Sequence, residues 1–410
     1  MTLPLEGFKV VEFSEHAFVP ASAAVLAEWG ADVVKVERRE GDALRHLRLT
    51  TGDGYDYLFQ LFNRNKRGIA LDVETPAGRE ILEQLVARAD VFITNHLPRV
   101  QRRLRTRPED VFAINPRIVY ARGSGQGQRG PDAEAGGNDG VSFWSRAGLA
   151  YMLGDPATDE PIPQRPAIGD APTGIALAAG ILAAIIQAQR TGKGVEVNSS
   201  LFNGGLWTLG PDIAYAALTG ENPQRRATGL AAGPLAARYR TADGRTLQLS
   251  MTNEERYWPR ACRALGLEEL IEGFPDRDAR QPQADQLRGR FAKVIGALTA
   301  DQVTEHLRQE DCVYALINTP VDVLDDPQAI ANGYLVVHPS KAALRLPAVP
   351  AQFDDQLPSM VRGGPELGEH SAEVLRELGY TDARIEELVA EGTLGVASPV
   401  VAAEGVASRR

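Results

Sequence analysis

Short apolar runs alternate with amphipathic stretches through the first two hundred residues. Val10-Val11-Glu12-Phe13 is a β-type run, Pro20 opens a helical stretch that continues to Glu28, Gly30 stops it, and Asp32 to Val36 is β-type again. The βαβ pattern recurs. Ile69 to Val73 predicts a strand, Thr75 an N-cap with Pro76 at the first helical position, Val91 to Thr94 the following strand and Ile118 to Ala121 another. Strands alternating with helices of this length predict an α/β fold with a parallel sheet covered on both faces. A Gly-rich stretch from Gly123 to Gly140 then precedes a long helix of small residues, the strand Val195 to Asn198 and a helix from Leu201.

The texture changes near Arg225. Ala236 to Arg240 and Thr246 to Met251 flank Ala242-Asp243-Gly244, which reads as a hairpin. A helix capped at Thr299 and a strand from Val313 to Ile317 follow. A smaller α+β domain is therefore expected over residues 225–328, between a large domain over 1–224 and a return to that domain over 329–410. Helical periodicity resumes from Leu367 to Gly379, and the residues from Thr393 read as a frayed Ala/Val/Ser tail.

Composition narrows the function classes. At 410 residues, 43% hydrophobic and 24% charged, the chain is long enough for two or three folding units with sizeable cores. A net charge of -10 argues against a nucleic-acid or anionic-membrane partner and leaves room for a local basic pocket that takes a phosphorylated ligand. Cys262 and Cys312 form no metal-type cluster, and the six histidines lack the i, i+4 spacing of a helical pair, so no metal is expected. The first residues have no basic region followed by an apolar stretch, which makes the cytoplasm the default location. Ala171 to Ala188 is membrane-like in composition, but its Ala and Gly content reads as a buried helix, and no membrane association is expected.

Three features carry candidate chemistry. Asp170, in Ile168-Gly169-Asp170, opens the long helix. A carboxylate there faces unpaired N–H groups and the positive dipole end, which should lower its pKa and keep it ionised, as either a cap or a nucleophile. Gly123-Ser124-Gly125-Gln126-Gly127 follows a predicted strand and can aim backbone N–H groups at an oxyanion or a phosphate, although it matches neither a P-loop nor a dinucleotide fingerprint. Arg38, Lys66-Arg67 and Arg102-Arg103 lie near the ends of predicted strands, where ligands of open α/β sheets bind.

Together these segments resemble one family. Pro4-Leu5-Glu6-Gly7-Phe8-Lys9-Val10-Val11-Glu12-Phe13, Gly30-Ala31-Asp32-Val33-Val34-Lys35-Val36-Glu37-Arg38, Asn63-Arg64-Asn65-Lys66-Arg67, Ile168-Gly169-Asp170 with Gln189-Arg190-Thr191-Gly192-Lys193-Gly194, and Leu367-Gly368-Glu369-His370 are similar to the class III coenzyme A transferases of the CaiB/BaiF type. That family includes formyl-CoA transferase, carnitine CoA-transferase and α-methylacyl-CoA racemase. The resemblance runs over roughly residues 3 to 392.

The resemblance implies a Rossmann-like large domain built from both termini, a smaller α+β domain and an interlocked homodimer. It implies acyl-CoA and carboxylic acid as substrates, coenzyme A as part of the substrate, and no tightly bound cofactor. The aspartate matching Asp170 would attack the thioester, forming an anhydride and then an aspartyl-CoA thioester. CoA would lie near Ala17, Phe18, Arg38, Leu71, Val73, Asn95, His96, Leu97, Arg103, Gly136, Gly137 and Asn138, with Arg38 and Arg103 on the nucleotide phosphates. Ala17 stands where formyl-CoA transferase has glutamine. The racemase needs a histidine at the position of Asn138 and a glutamate near Asn253, where only Glu254 is adjacent, so transfer is expected over racemisation. Asp139 reads as a loop-stabilising acceptor or a second carboxylate. A nicotinamide-dependent dehydrogenase and a non-catalytic acyl-CoA-binding protein are the remaining alternatives.

Overall fold

The computed structural model describes residues 3–47, 56–225, 233–354, 357 and 359–397. They form two compact units, one from 1–153, 161–223 and 328–410 and the other from 154–160 and 224–327. In the larger unit β1 (Lys9–Phe13), α1 (Phe18–Glu28), β2 (Asp32–Glu37), α2 (Tyr57–Asn63), β3 (Arg67–Leu71), α3 (Pro76–Arg88), β4 (Val91–Thr94), α4 (Pro98–Leu104), α5 (Pro108–Ile114) and β5 (Val119–Ser124) follow one another. A π-helical segment, Asp139–Arg146, and the short α6 (Leu149–Met152) lead to α7 (Asp170–Thr191), β6 (Val195–Ser200), α8 (Leu201–Thr208) and α9 (Gly210–Thr219).

These six strands pair in parallel in the order 3-2-1-4-5-6, the doubly wound arrangement of a Rossmann-type sheet. Residues alternate between its faces. Val10, Val33, Val91, Ile93 and Ala121 pack with α1 and α7, whereas Val11, Val34, Ile69, Phe92 and Tyr120 pack with α3 and the helix Ser371–Leu378. Burial on both sides is why the strands read as continuous apolar runs. The membrane-like helix α7 buries Thr173, Gly174, Leu177, Ala178, Ile181, Ala184, Ile185 and Ala188, one face at helical spacing, in the first of these cores. By length and composition it could cross a membrane; its packing is that of a core helix.

The smaller unit holds the antiparallel sheet β7 (Arg238–Arg240), β8 (Thr246–Leu249) and β9 (Tyr314–Leu316). Gly244, at φ 78°, makes the hairpin turn. Thr299 caps the helix Ala300–Gln309 through a reciprocal capping box with Gln302. Trp258 stacks on Phe291 at 5.8 Å in this unit's core.

Several boundaries move from the sequence expectations. α1 begins at Phe18, with Pro20 inside the first turn, where its missing N–H has no partner to lose. β3 runs Arg67–Leu71 because Arg67 and Gly68 already pair with Val34 and Lys35, while Asp72 turns the chain toward the Thr75 cap. Gly123 and Ser124 belong to β5. The expected frayed tail is ordered at its start. After the hairpin β10 (Leu335–His338) and β11 (Lys341–Pro347), the last strand β12 (Leu394–Gly395) pairs antiparallel with β3. The rest of that tail, residues 398–410, lies outside the described residues.

Candidate active site

Asp170 is the first residue of α7, and Gly169 precedes it as N-cap without any side-chain cap bond of its own. The cap comes from Asp139 instead. Its two carboxylate oxygens accept from the Gly169 N–H at 3.2 and 3.1 Å, and the Asp170 N–H also donates to this carboxylate. This corrects the expectation for Asp170. The Gly169 and Asp170 N–H groups are turned to Asp139, those of Ala171 and Thr173 donate to Ala167 O and Gly169 O, and burial, with the Asp139 charge added, pushes the Asp170 carboxyl up to about 7. Burial also raises Asp139, against the pull of its backbone donors. The local close packing is strict, since a β-carbon at Gly169 would come within 2.2 Å of Phe143 and 2.6 Å of Asp139 Oδ1.

Asp139 is placed by the π-helical turn that it opens. The Asn138 side chain accepts from the Val141 N–H at 3.0 Å, and Phe143 and Trp144 bury the turn's inner face. The preceding Gly136–Gly137 strand of chain crosses the glycine loop. A β-carbon at Gly125 would sit 2.4 Å from Gly137 Cα, and one at Gly137 would sit 2.4 Å from Ser142 Oγ. Gln126 Nε2 donates to Ser142 Oγ at 3.0 Å and closes the same crossing. Two backbones in van der Waals contact thus lie beside the loop that carries Asp139.

The other predicted residues gather at the carboxyl ends of the strands, on both sides of β1, where the strand order reverses. Ala17 and Phe18 start α1 there and are buried, and Gly123 leaves room for the Phe18 ring, 2.7 Å from where its β-carbon would be. A β-carbon at Gly174 would meet Phe18 O at 2.9 Å, so α1 and the Asp170 helix touch backbone to backbone. Asn95 bridges the switch point, its Oδ1 accepting from Glu15 N at 3.0 Å and its Nδ2 donating to Glu15 O at 2.7 Å. His96 packs edge-on against Phe13 at 4.5 Å. Its buried Nδ1 has no hydrogen-bond partner among the described residues. Burial, together with Arg38, Arg103 and Lys35, pushes that ring down to about 4, so the imidazole is neutral. Leu97 caps α4, whose last turn carries Arg102 and Arg103. Arg38 pairs with Glu15 at 2.9 Å and Arg103 with Glu74 at 3.3 Å, and both guanidinium side chains are more than half exposed. Leu71 and Val73 are core residues, so a ligand could meet them only through their backbone.

Of the other candidate cations, Arg67 is taken up by Asp32, Glu373 and Glu377, and Lys66 is fully buried. Sequence reasoning passed over the set to which Lys66 belongs. Glu12, Lys35, Asp42 and Lys66 form a buried charge cluster under the β1–α1 turn. The signal was present, because Glu12 and Lys35 interrupt apolar β runs at positions that a two-sided sheet buries.

Comparison with known proteins assigns the chain to a family. The sequence profile of CoA-transferase family III matches residues 5–371. The chain belongs to CoA-transferase family III. It is 30% identical over 394 residues to (R)-2-hydroxy-4-methylpentanoate CoA-transferase of Clostridioides difficile, covering 93% of this chain and 97% of that one. It is likewise 30% identical to cinnamoyl-CoA:phenyllactate CoA-transferase of Clostridium sporogenes, over 93% and 95% of the two chains. Among solved structures, a CaiB/BaiF family protein from Brucella suis superposes with a TM-score of 0.80 at 29% identity, over 92% of this chain and 100% of that one. Family III enzymes act on CoA thioesters, and this membership makes the chain an enzyme of CoA transfer. The racemase alternative is not favoured by these relatives. In this family III chain Asn253 is a helix cap that accepts from Arg256 N at 3.2 Å, and Glu254 pairs with the buried Arg280 at 3.6 Å.

Proposed function

We propose that this enzyme moves CoA from an acyl-CoA to a carboxylic acid acceptor through covalent intermediates on Asp170. The observation that carries the reading is a partly buried carboxyl, raised to about 7, at the start of the helix that touches the α1 turn. In the first step the Asp170 carboxylate attacks the thioester carbonyl, the C–S bond breaks, and a mixed anhydride forms with CoA thiolate as leaving group. The thiolate then attacks the Asp170 carbonyl, forming an aspartyl-CoA thioester and expelling the first acid. The acceptor carboxylate repeats the sequence in reverse, leaving its own CoA thioester and free Asp170. Neither ATP nor water enters, and the thioester energy is retained.

In this reading the neutral His96 and the cations Arg38 and Arg103 receive the nucleotide end of CoA, which suits a phosphorylated ligand on an acidic protein. Asn95, Leu97, Ala17 and Phe18 form the floor beside them. Backbone amides of the crossed glycine segments, Gly125 with Gly136–Gly137, serve the developing oxyanion. The enzyme acts as a homodimer. In support, α9 buries none of its residues, and Trp207 and Leu218 are each 88% exposed on the α8–α9 arm.

The test is incubation with an acyl-CoA panel followed by hydroxylamine trapping and peptide mass mapping. The adduct should map to Asp170, and Asp170→Ala should lose both trapping and exchange of label between acyl-CoA and free acid while keeping its circular dichroism. Normal exchange by that variant would sink the assignment.

A further inference from the structure

Beneath the turn from β1 into α1 lie four buried charges that the transfer steps do not use. Lys35 Nζ pairs with Glu12 at 3.1 Å and with Asp42 at 2.8 Å, and Lys66 Nζ pairs with Glu12 at 2.6 Å. Two acids and two bases balance one another. Burial opposes every one of these charges, yet Lys35 and Lys66 hold Glu12 below the usual carboxylate range, and Lys35 does the same for Asp42. Lys66 bears the residual strain, with burial pushing it down to about 8 against the attraction of Glu12. Apolar side chains of similar volume would serve stability as well as such a cluster does, so stability does not account for it.

What the four share is their grip on the turn and the start of α1, Glu12 Oε1 accepting from Ser14 Oγ at 2.9 Å. Lys35 Nζ donates to Ser14 O at 3.1 Å, Asp42 Oδ1 accepts from His16 N at 2.9 Å, and Lys66 Nζ donates to Pro20 O at 2.9 Å. Asp42 Oδ1 also accepts from Leu44 N at 2.8 Å, so one carboxylate sets both this turn and the loop after β2. Within the turn His16 stands at φ 69°, a left-handed conformation that a residue with a β-carbon keeps only when its surroundings over-determine it. We propose that Glu12, Lys35, Asp42 and Lys66 are positioning residues, which hold residues 14–18 in the one conformation that receives CoA. The inference rests on the reading that this turn meets CoA.

Asp42→Ala removes the acceptor for the His16 N–H. Calorimetric titration with free CoA should show the Kd raised about tenfold, the loss expected for one hydrogen bond to a charged group. In a His16→Gly background the same substitution should cost less than about threefold, because glycine takes a φ near 70° unaided. An unchanged Kd in folded Asp42→Ala, or equal losses in both backgrounds, overturns the proposal. The wild-type protein supplies a second measurement should Asp42→Ala fail to fold. The His16 amide must already be strongly protected from hydrogen exchange without CoA, and rapid exchange there would show that the turn is not prebuilt. Binding of free CoA does not depend on the nucleophile. A weakened Kd with no adduct at Asp170 therefore refutes the covalent route and keeps the positioning role, whereas normal trapping with an unaltered Kd does the reverse.

Discussion

Replacing Asp170 by asparagine tests the electrostatics of the site without any turnover. The carboxyl is held near 7 by burial and by Asp139, against an ordinary value of 3.8. Between those two values the folded chain holds a proton there that the unfolded chain has lost, so folding stability falls as pH rises from about 4 through about 7. At pH 8 the ionised form costs the native state up to about 4 kcal/mol, less whatever water at the exposed edge of the carboxyl screens. Asparagine fills the same volume and never ionises. Asp170→Asn should therefore melt higher than wild type at pH 8, by about 3–6 °C for a unit of roughly 300 residues, and the gap should close below pH 4. Differential scanning calorimetry of the unliganded protein from pH 4 to 8 reads both. A variant that is less stable at pH 8, or a gap that does not shrink on acidification, would refute the argument that the site strains this carboxylate.

Three further outcomes follow from the same geometry. The acid limb of kcat/KM should fall near pH 7, activity being lost as Asp170 protonates, and a limb near pH 4 would mean that the carboxyl is ionised by its helix after all. Gly137→Ala drives a β-carbon to 2.9 Å from Gly125 Cα, where backbone cannot give way easily, so unfolding free energy should drop by about 1–3 kcal/mol and transfer by at least about tenfold; wild-type kinetics would contradict the crossing. Arg103→Ala, which loses an exposed cation, should raise KM for acyl-CoA about three- to tenfold with kcat unchanged and a shallower salt dependence, and an equal fall in kcat would place this arginine elsewhere in the mechanism.

Legibility in the sequence followed what set each element locally. β1, β2 and β4 were visible because burial on both faces demands runs such as Val91-Phe92-Ile93, and the Thr75 and Thr299 caps were visible because their partners lie three residues on. β12 could not be seen. It is two residues long and is held by backbone pairing with β3 and by Ser371 Oγ donating to Gly395 O at 2.6 Å, neither of which leaves a pattern in residues 394–395. The position of Asp170 at a helix start was equally plain, but its charge state was not. That state is set first by burial and then by Asp139, far back along the chain, which takes the Gly169 and Asp170 N–H groups. The buried quartet shows the intermediate case, with the charges conspicuous in apolar strands and their pairing dependent on the order in which those strands assemble.

The raised pKa of Asp170, from burial and the Asp139 charge, also bears on the direction of the proposed reaction. On the proposed route the thiolate can attack either carbonyl of the mixed anhydride, and the carboxylate expelled is the better leaving group when its parent acid is stronger. Simple acyl substrates have carboxyls in the ordinary range near 4, whereas Asp170 is held near 7, so on that route the substrate acid would leave and the aspartyl thioester would form in preference to simple reversal. A more basic carboxylate is also the better nucleophile in the preceding step, and near neutral pH about half of it is ionised. Asp139→Asn removes the charge that contributes to this shift while keeping an oxygen for the Gly169 N–H. It should lower the acid limb of kcat/KM. It should also reduce the borohydride-reducible aspartyl thioester relative to the total hydroxylamine-reactive adduct on Asp170. If the limb moves and the proportion of the two adducts does not, the leaving-group argument fails and the carboxylate pair acts only on ionisation.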